Sequence, residues 1–265
     1  YFPPGGYFLG RAAGHDTNNV EPRTAQSRAA DDPGVCLSPA RTWTAAKIRN
    51  CRTLLRRNSE SPDAVILGEL EQLAKKAEQA TALPSLLGIE GSAARVYFGA
   101  FTTMLTTEMG FTLEGRNRRP PRDPANALLS LAYALLTKDF TFAIASSGLD
   151  PLRGFYHQPR FGKPALALDL MEEFRPLLAD STVLGVINQG IVTPTDFQRH
   201  PTGVALLTAA RRRFILAYQR RLDQLVAHPV FGYRISYRSV LEVQARLLGR
   251  LLLGEIDAYP SFRTR

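Results

Sequence analysis

The chain has 265 residues, 45% of them hydrophobic, with a formal net charge of +9. Such a length holds one large or two modest domains, and the positive balance favours an anionic partner, either nucleic acid or an anionic membrane surface. No run reaches the ~18 apolar residues of a membrane span, and the two cysteines, Cys36 and Cys51, form neither a C-x-x-C pair nor a zinc template, which leaves buried, reduced thiols in a cytosolic protein.

The start, Tyr1-Phe2-Pro3-Pro4-Gly5-Gly6, lacks Met and the basic-then-apolar layout of a signal peptide, and reads as a cut through a longer protein. Residues 1–13, rich in Gly, Tyr and Phe, read as the last strand or turn of something upstream. Residues 14–37 read as a polar linker with a turn at Asp31-Asp32-Pro33-Gly34. From Ser38, an N-cap with Pro39 at N1, the pattern turns helical, and Lys47, Arg49, Arg52, Arg56 and Arg57 make one side of that helix basic. A second helix shows Ile66, Leu70, Leu73 and Ala77 at four- and three-residue spacing. Pro84 breaks the chain, and a third helix is expected from Glu90 to about Thr107.

The stretch Arg116-Asn117-Arg118-Arg119-Pro120-Pro121-Arg122-Asp123-Pro124 is a stiff basic loop, whose Asp123 caps and Pro124 begins a helix from Ala125 to about Leu136. Gly148-Leu149-Asp150-Pro151 and Arg160-Phe161-Gly162-Lys163-Pro164 are turns. A helix from about Leu166 continues beyond Arg175, and two long helices are expected near Gly203–Ala227 and Tyr237–Glu255. There is no internal repeat and little strand after residue 15, so the fold class is mainly α, with 38–265 a helical domain.

Asp169, Glu172 and Glu173 stand at i, i+3 and i+4, one face of a helix, where carboxylates repel unless a cation or arginines compensate. A solvated acidic stripe is the plain alternative, but the apolar neighbours Leu166, Leu168, Met171 and Phe174 argue for a half-buried helix. His157 lies fifteen residues before Glu172, and the Gly162-Lys163-Pro164 turn between them can fold its loop back over the carboxylates. One imidazole with carboxylates suits Mn²⁺ or Mg²⁺ better than structural zinc. Glu90, read as opening a helix, is explained by the helix dipole alone. Arg118, Arg119 and Arg122 in the stiff loop, with Arg160 and Lys163 at the next turn, form a basic group suited to a phosphate backbone, and no base-reading module is present.

At these residues the chain resembles a known family, the CRISPR-associated integrase "Cas-one", which captures foreign DNA as new spacers. The likeness runs in order through Asn19-Val20-Glu21, Lys47-Ile48-Arg49-Asn50, Gly88-Ile89-Glu90-Gly91-Ser92-Ala93-Ala94-Arg95, Asn117-Arg118-Arg119-Pro120-Pro121, Gly148-Leu149-Asp150-Pro151 with His157, and Asp169 to Pro176, and reaches Gln244-Ala245-Arg246 and Tyr259. The resemblance implies that Glu90, His157 and Glu172 are the catalytic metal ligands for Mg²⁺ or Mn²⁺, with Asp169 an alternative ligand or a support near the site. It implies that Arg95, Arg118, Arg119, Arg122, Arg160 and Lys163 bind DNA.

The activity it implies is insertion of short protospacers into a CRISPR array, a 3′-hydroxyl attacking a phosphodiester at the repeat edge. The implied partners are double-stranded DNA, a homodimer, a small "Cas-two" subunit bridging two integrase dimers, and a fused or separate "Cas-four" nuclease, with no membrane, in a prokaryotic cytoplasm. The family carries an N-terminal β-domain, of which residues 1–13 would be a remnant. Two rival functions remain: a general metal-dependent nuclease acting on branched DNA or RNA, and a non-enzymatic DNA-binding scaffold.

Overall fold

The computed structural model describes residues 19–117, 120–201 and 203–264. The expected β-domain remnant at 1–13, the first part of the expected linker, and Arg118 and Arg119 lie outside those residues.

Most of the expected linker is helical. Helix α1 (Glu21–Ala30) starts with Pro22 in its first turn, and tertiary bonds rather than an apolar face hold it. Buried Gln26 donates through Nε2 to the carbonyls of Asp150 (2.8 Å) and Arg153 (2.7 Å), and its Oε1 accepts from Asp150 N–H (2.8 Å). Helix α2 (Pro33–Asn58) begins five residues before Ser38, because Asp32 is the N-cap, accepting from Gly34 N–H at 2.8 Å, and Pro33 takes the first helical position. Helix α3 (Ala64–Glu78) is capped by Asp63.

Helix α4 (Leu83–Ala100) begins with Pro84 in its first turn, so the residue read as a breaker is a starter. Glu90 therefore sits in mid-helix rather than in a first turn, and the dipole does not explain it. Asp123 caps helix α5 (Pro124–Ser146), accepting from Asn126 N–H at 2.8 Å. α5 runs ten residues past its expected end. Leu136, Phe140, Ala143 and Ile144 continue its buried stripe through the polar Thr137-Lys138-Asp139, and Thr137 and Thr141 bond back to the carbonyls of Tyr133 and Thr137. By length and composition α5 could cross a membrane, but it packs on other helices and buries Leu128, Leu129, Ala132 and Phe140 completely.

The expected helix past Arg175 is a rod of changing pitch: helix α6 (Ala165–Leu170), a 3₁₀ turn (Met171–Phe174), a π segment (Arg175–Asp180) and helix α7 (Ser181–Asn188). Pro176 lies at the join, where it has no N–H to give and its ring crowds the preceding turn, so the winding changes there. The expected 203–227 helix is shorter. Strand β1 (Phe197–His200) pairs antiparallel with β2 (Gly203–Leu206), helix α8 (Thr208–Asp223) follows, and β3 (Leu225–Ala227) pairs with β4 (Arg234–Ser236) before helix α9 (Tyr237–Leu252). Two short hairpins agree with the expectation of little strand. α2 is central, packed against α3, α4 and the rod, with Trp43, Phe140, Phe174 and Phe262 among the fully buried side chains.

Candidate active site

The rod and the loop before it place His157. Asp169, completely buried on α6, accepts through Oδ2 from the N–H groups of Phe155 (2.7 Å) and Tyr156 (3.0 Å). Its Oδ1 accepts from His157 N–H (2.8 Å) and stands 2.7 Å from His157 Nδ1. A β-carbon on Gly154 would come within 2.8 Å of Ala165 Cβ and 2.9 Å of Asp169 Oδ2, so only glycine lets the loop lie this close to α6. Asp169 thus holds the ring from its Nδ1 side, and Nε2 faces Glu172 Oε1 at 3.8 Å.

Glu172, one turn along, is buried beside two cations. Its Oε2 lies 2.7 Å from Lys47 Nζ and 3.1 Å from Arg175 Nε. Neither contact is aligned as a hydrogen bond, so this oxygen is a buried acceptor without a directional partner. Burial works against its charge, but Arg175 and Lys47 together hold the Glu172 carboxyl well below the usual carboxylate range. From α4, Glu90 brings Oε1 to 2.5 Å from the same Lys47 Nζ, while Oε2 accepts from Tyr156 O–H at 2.5 Å. Burial likewise opposes the Lys47 ammonium, and Glu172 and Glu90 outweigh it, raising its pKa.

These side chains line a cavity of about 360 Å³ that also receives Arg116, Tyr133, Arg175 and Asp180. Arg116 and Arg175 both lie over the Tyr133 ring. Asp180 accepts from Tyr97 O–H (2.9 Å) and Tyr133 O–H (2.8 Å), and burial pushes its pKa up to about 6 against those bonds.

Glu90 and Glu172 thus meet on an ammonium, and His157 Nε2 faces Glu172 at 3.8 Å. Among the described residues no three His, Cys, Asp or Glu side chains are grouped so as to hold a metal ion as they stand. The donor chemistry nevertheless fits one. Lys47 Nζ marks a point within 2.5–2.7 Å of an oxygen from each carboxylate, Glu172 Oε2 lacks a directional partner, and His157 Nε2 faces Glu172. Asp169 uses both oxygens on the His157 loop.

Glu173 does not share the face of Asp169 and Glu172, because the 3₁₀ turn swings it into the core. There it accepts from Tyr259 O–H (2.6 Å), Gln244 Nε2 (3.0 Å) and Phe262 N–H (2.7 Å). Of the expected DNA-binding residues, Arg95, Arg122 and Arg160 are exposed and Lys163 is half-buried, while Arg118 and Arg119 lie outside the described residues. Arg95 is five residues beyond Glu90 on α4, about 140° around the helix. Sequence reasoning passed over Lys47, Arg116, Tyr156 and Arg175 as site residues. The signal for Lys47 was available, since Trp43, Asn50 and Cys51, at i−4, i+3 and i+4, place it on the buried stripe of α2.

The family model for CRISPR associated protein Cas1 matches residues 1–220. The chain is 54% identical over 272 residues to a CRISPR-associated exonuclease Cas4/endonuclease Cas1 fusion from Geobacter sulfurreducens, covering 98% of this chain and 48% of that protein. It is 42% identical over 265 residues to a CRISPR-associated endonuclease Cas1 from Thermus thermophilus, covering 100% of this chain and 78% of that protein. Among solved structures, one chain of a partial Cas6-RT-Cas1–Cas2 complex matches with a TM-score of 0.81 at 29% identity, over 94% of this chain and 75% of that one. The chain spans about half the length of the fusion proteins it matches. A family model over most of the sequence, close relatives and a shared helical fold agree, and the chain belongs to the CRISPR associated protein Cas1 family.

Proposed function

We propose that this chain is the catalytic part of a metal-dependent DNA integrase and endonuclease that inserts short foreign DNA into a CRISPR array. The observation that supports this reading most is the meeting of Glu90 and Glu172, from two separate elements, on one cation position, with His157 Nε2 3.8 Å from Glu172, in a cavity that also holds two arginines. A divalent cation, Mg²⁺ or Mn²⁺, held by those side chains would supply polarisation of the scissile phosphate and stabilisation of the leaving oxygen.

The chain's own residues do the rest. Glu90 and Glu172 offer hard oxygen donors and His157 a nitrogen oriented by Asp169. Arg116 and Arg175 face the phosphodiester and offset charge as it builds on the phosphate oxygens. A 3′-hydroxyl of the captured DNA attacks phosphorus at the repeat edge, the new P–O bond replaces the bond to the leaving 3′-oxygen, the attacking hydroxyl gives its proton to solvent, and the leaving oxygen takes one from solvent. The number of phosphodiesters is unchanged, so no ATP is consumed. Arg95, Arg122, Arg160 and Lys163, with Arg118 and Arg119, hold the two duplexes and supply the positioning that a bimolecular step needs. A homodimer, a bridging Cas2 subunit and a fused or separate Cas4 nuclease complete the assembly, in a prokaryotic cytoplasm. The Cas4/Cas1 fusions and the Cas1–Cas2 complex among the relatives support the Cas4 and Cas2 partners.

The relatives' endonuclease names favour a second reading, hydrolysis of branched DNA by the same site with water as nucleophile. The test uses the full-length parent with its Cas2 partner, a labelled duplex bearing 3′-hydroxyls and a plasmid carrying a CRISPR repeat, in Mn²⁺. Label joined covalently to the plasmid, and reduced about 100-fold or more in Glu90→Ala, His157→Ala and Glu172→Ala, is the expected result. Shortened strands without joining would replace integration by hydrolysis. Joining that survived all three substitutions would place the active site elsewhere.

A further inference from the structure

Lys47 is unlike the other cations of α2. Arg49 pairs with Glu71 and Glu78 of α3, and Arg52 faces Glu71. Lys47 instead bridges two elements: Glu90 of α4 at 2.5 Å and Glu172 of the 3₁₀ turn at 2.7 Å. Its side chain is only 15% exposed. Two carboxylates facing one cation at these distances would repel each other without it.

A divalent cation held by Glu90 and Glu172 needs the space that this ammonium fills, and two like charges a few ångströms apart in a buried site exclude each other. We propose that Lys47 is an exchangeable counter-ion: its ammonium holds Glu90 and Glu172 in register until the metal arrives, yields the position to the metal, and is thereby freed for the phosphodiester in the same cavity. The inference rests on the metal-dependent reading above. Lysine suits the task, being a compact charge on a flexible four-carbon stem. Arg175, pinned over Tyr133 at 4.6 Å, is the fixed cation of the same cavity.

The test has two arms, and the probe is Mn²⁺ alone. In the first, isothermal titration compares the wild-type chain with Lys47→Gln, with Glu90→Gln and Glu172→Gln as controls. The expected result is a Mn²⁺ affinity about ten-fold or more higher in Lys47→Gln, because the competing charge is gone. Metal-free Lys47→Gln should also melt lower than wild type and gain more in melting temperature from Mn²⁺. Equal or weaker Mn²⁺ binding by a folded Lys47→Gln would overturn the proposal.

In the second arm the wild-type chain is acetylated and Lys47 is followed by mass spectrometry, with Lys75 and Lys76 as internal references. This arm does not depend on any variant folding. Lys47 should gain reactivity when Mn²⁺ is added, and unchanged reactivity at saturating Mn²⁺ would overturn the proposal. Mn²⁺ binding that vanishes in Glu90→Gln and Glu172→Gln but is indifferent to Lys47 would sink this inference alone. No Mn²⁺ binding by any form would sink it together with the metal-dependent reading.

Discussion

Asp169 and Glu173, four residues apart, are both buried carboxylates with every oxygen in use, and they do different jobs. Asp169 orients His157 from behind, so Asp169→Asn should lower Mn²⁺ affinity and strand joining by about 10–100-fold, as titration and the joining assay would show. Glu173 ties the C-terminal segment to the core. Burial pushes its pKa up to about 7, against the bonds from Tyr259, Gln244 and Phe262. Its folded pKa exceeds its ordinary value, so the folded chain binds this proton more tightly than the unfolded one. The associated stability is fully present below about pH 4.5 and lost as pH rises through about 7, on the order of 2–4 kcal/mol. Asp180 acts in the same direction at lower pH. Glu172, with a depressed pKa, adds stability lost only below the usual carboxylate range. Denaturant melts between pH 5 and pH 8 should show wild type losing stability with rising pH, and Glu173→Gln should flatten that slope; identical slopes would refute the assignment. Single residues were the least legible scale in the sequence. The i, i+3, i+4 spacing placed three carboxylates on one face, but a 3₁₀ turn does not keep the 3.6-residue period, so Glu173 parted from Glu172.

Elements position the site through close approach. The His157 loop rests on α6 only because residue 154 has no side chain, and α1 holds the other end of that loop through Gln26. Gly154→Ala should therefore cost about 1–3 kcal/mol by overpacking and reduce joining more than that loss of stability accounts for, which thermal melts and single-turnover kinetics together would show. Gly203 plays a comparable part at the basic loop, where its β-carbon would lie 2.6 Å from Pro121 O. Most helices were legible from apolar spacing and caps, with Asp123 and Pro124 read correctly. The errors cluster at prolines. Pro84 was taken as a break and Pro39 as a start, because a proline's fixed φ suits a first turn and its missing N–H suits a stop. Only the packing of α4 against α2 and α3 decides between these roles.

At the scale of the whole molecule, the charge of +9 coexists with a buried acidic pair, and the cavity joins the two signs through Lys47, Arg116 and Arg175. On the proposed function the exposed arginines act mainly by phosphate contact. Arg122→Gln and Arg160→Gln should each reduce the salt dependence of duplex binding by about 0.9 in the log–log slope, measured by anisotropy across salt concentrations, without altering Mn²⁺ affinity. A mainly α fold was legible from periodicity, and composition favoured an anionic partner, either nucleic acid or an anionic membrane surface. The proposed ligand set was not, because Glu90, His157 and Glu172 are brought to one cavity by tertiary packing that no local pattern records. Resemblance to a family named them. The most direct test of the one-cation site is anomalous diffraction at the manganese edge from crystals of the chain soaked in Mn²⁺. A single peak bonded to Glu90, His157 and Glu172 is the expected result, and a peak confined to other carboxylates, or none at saturating Mn²⁺, would contradict it.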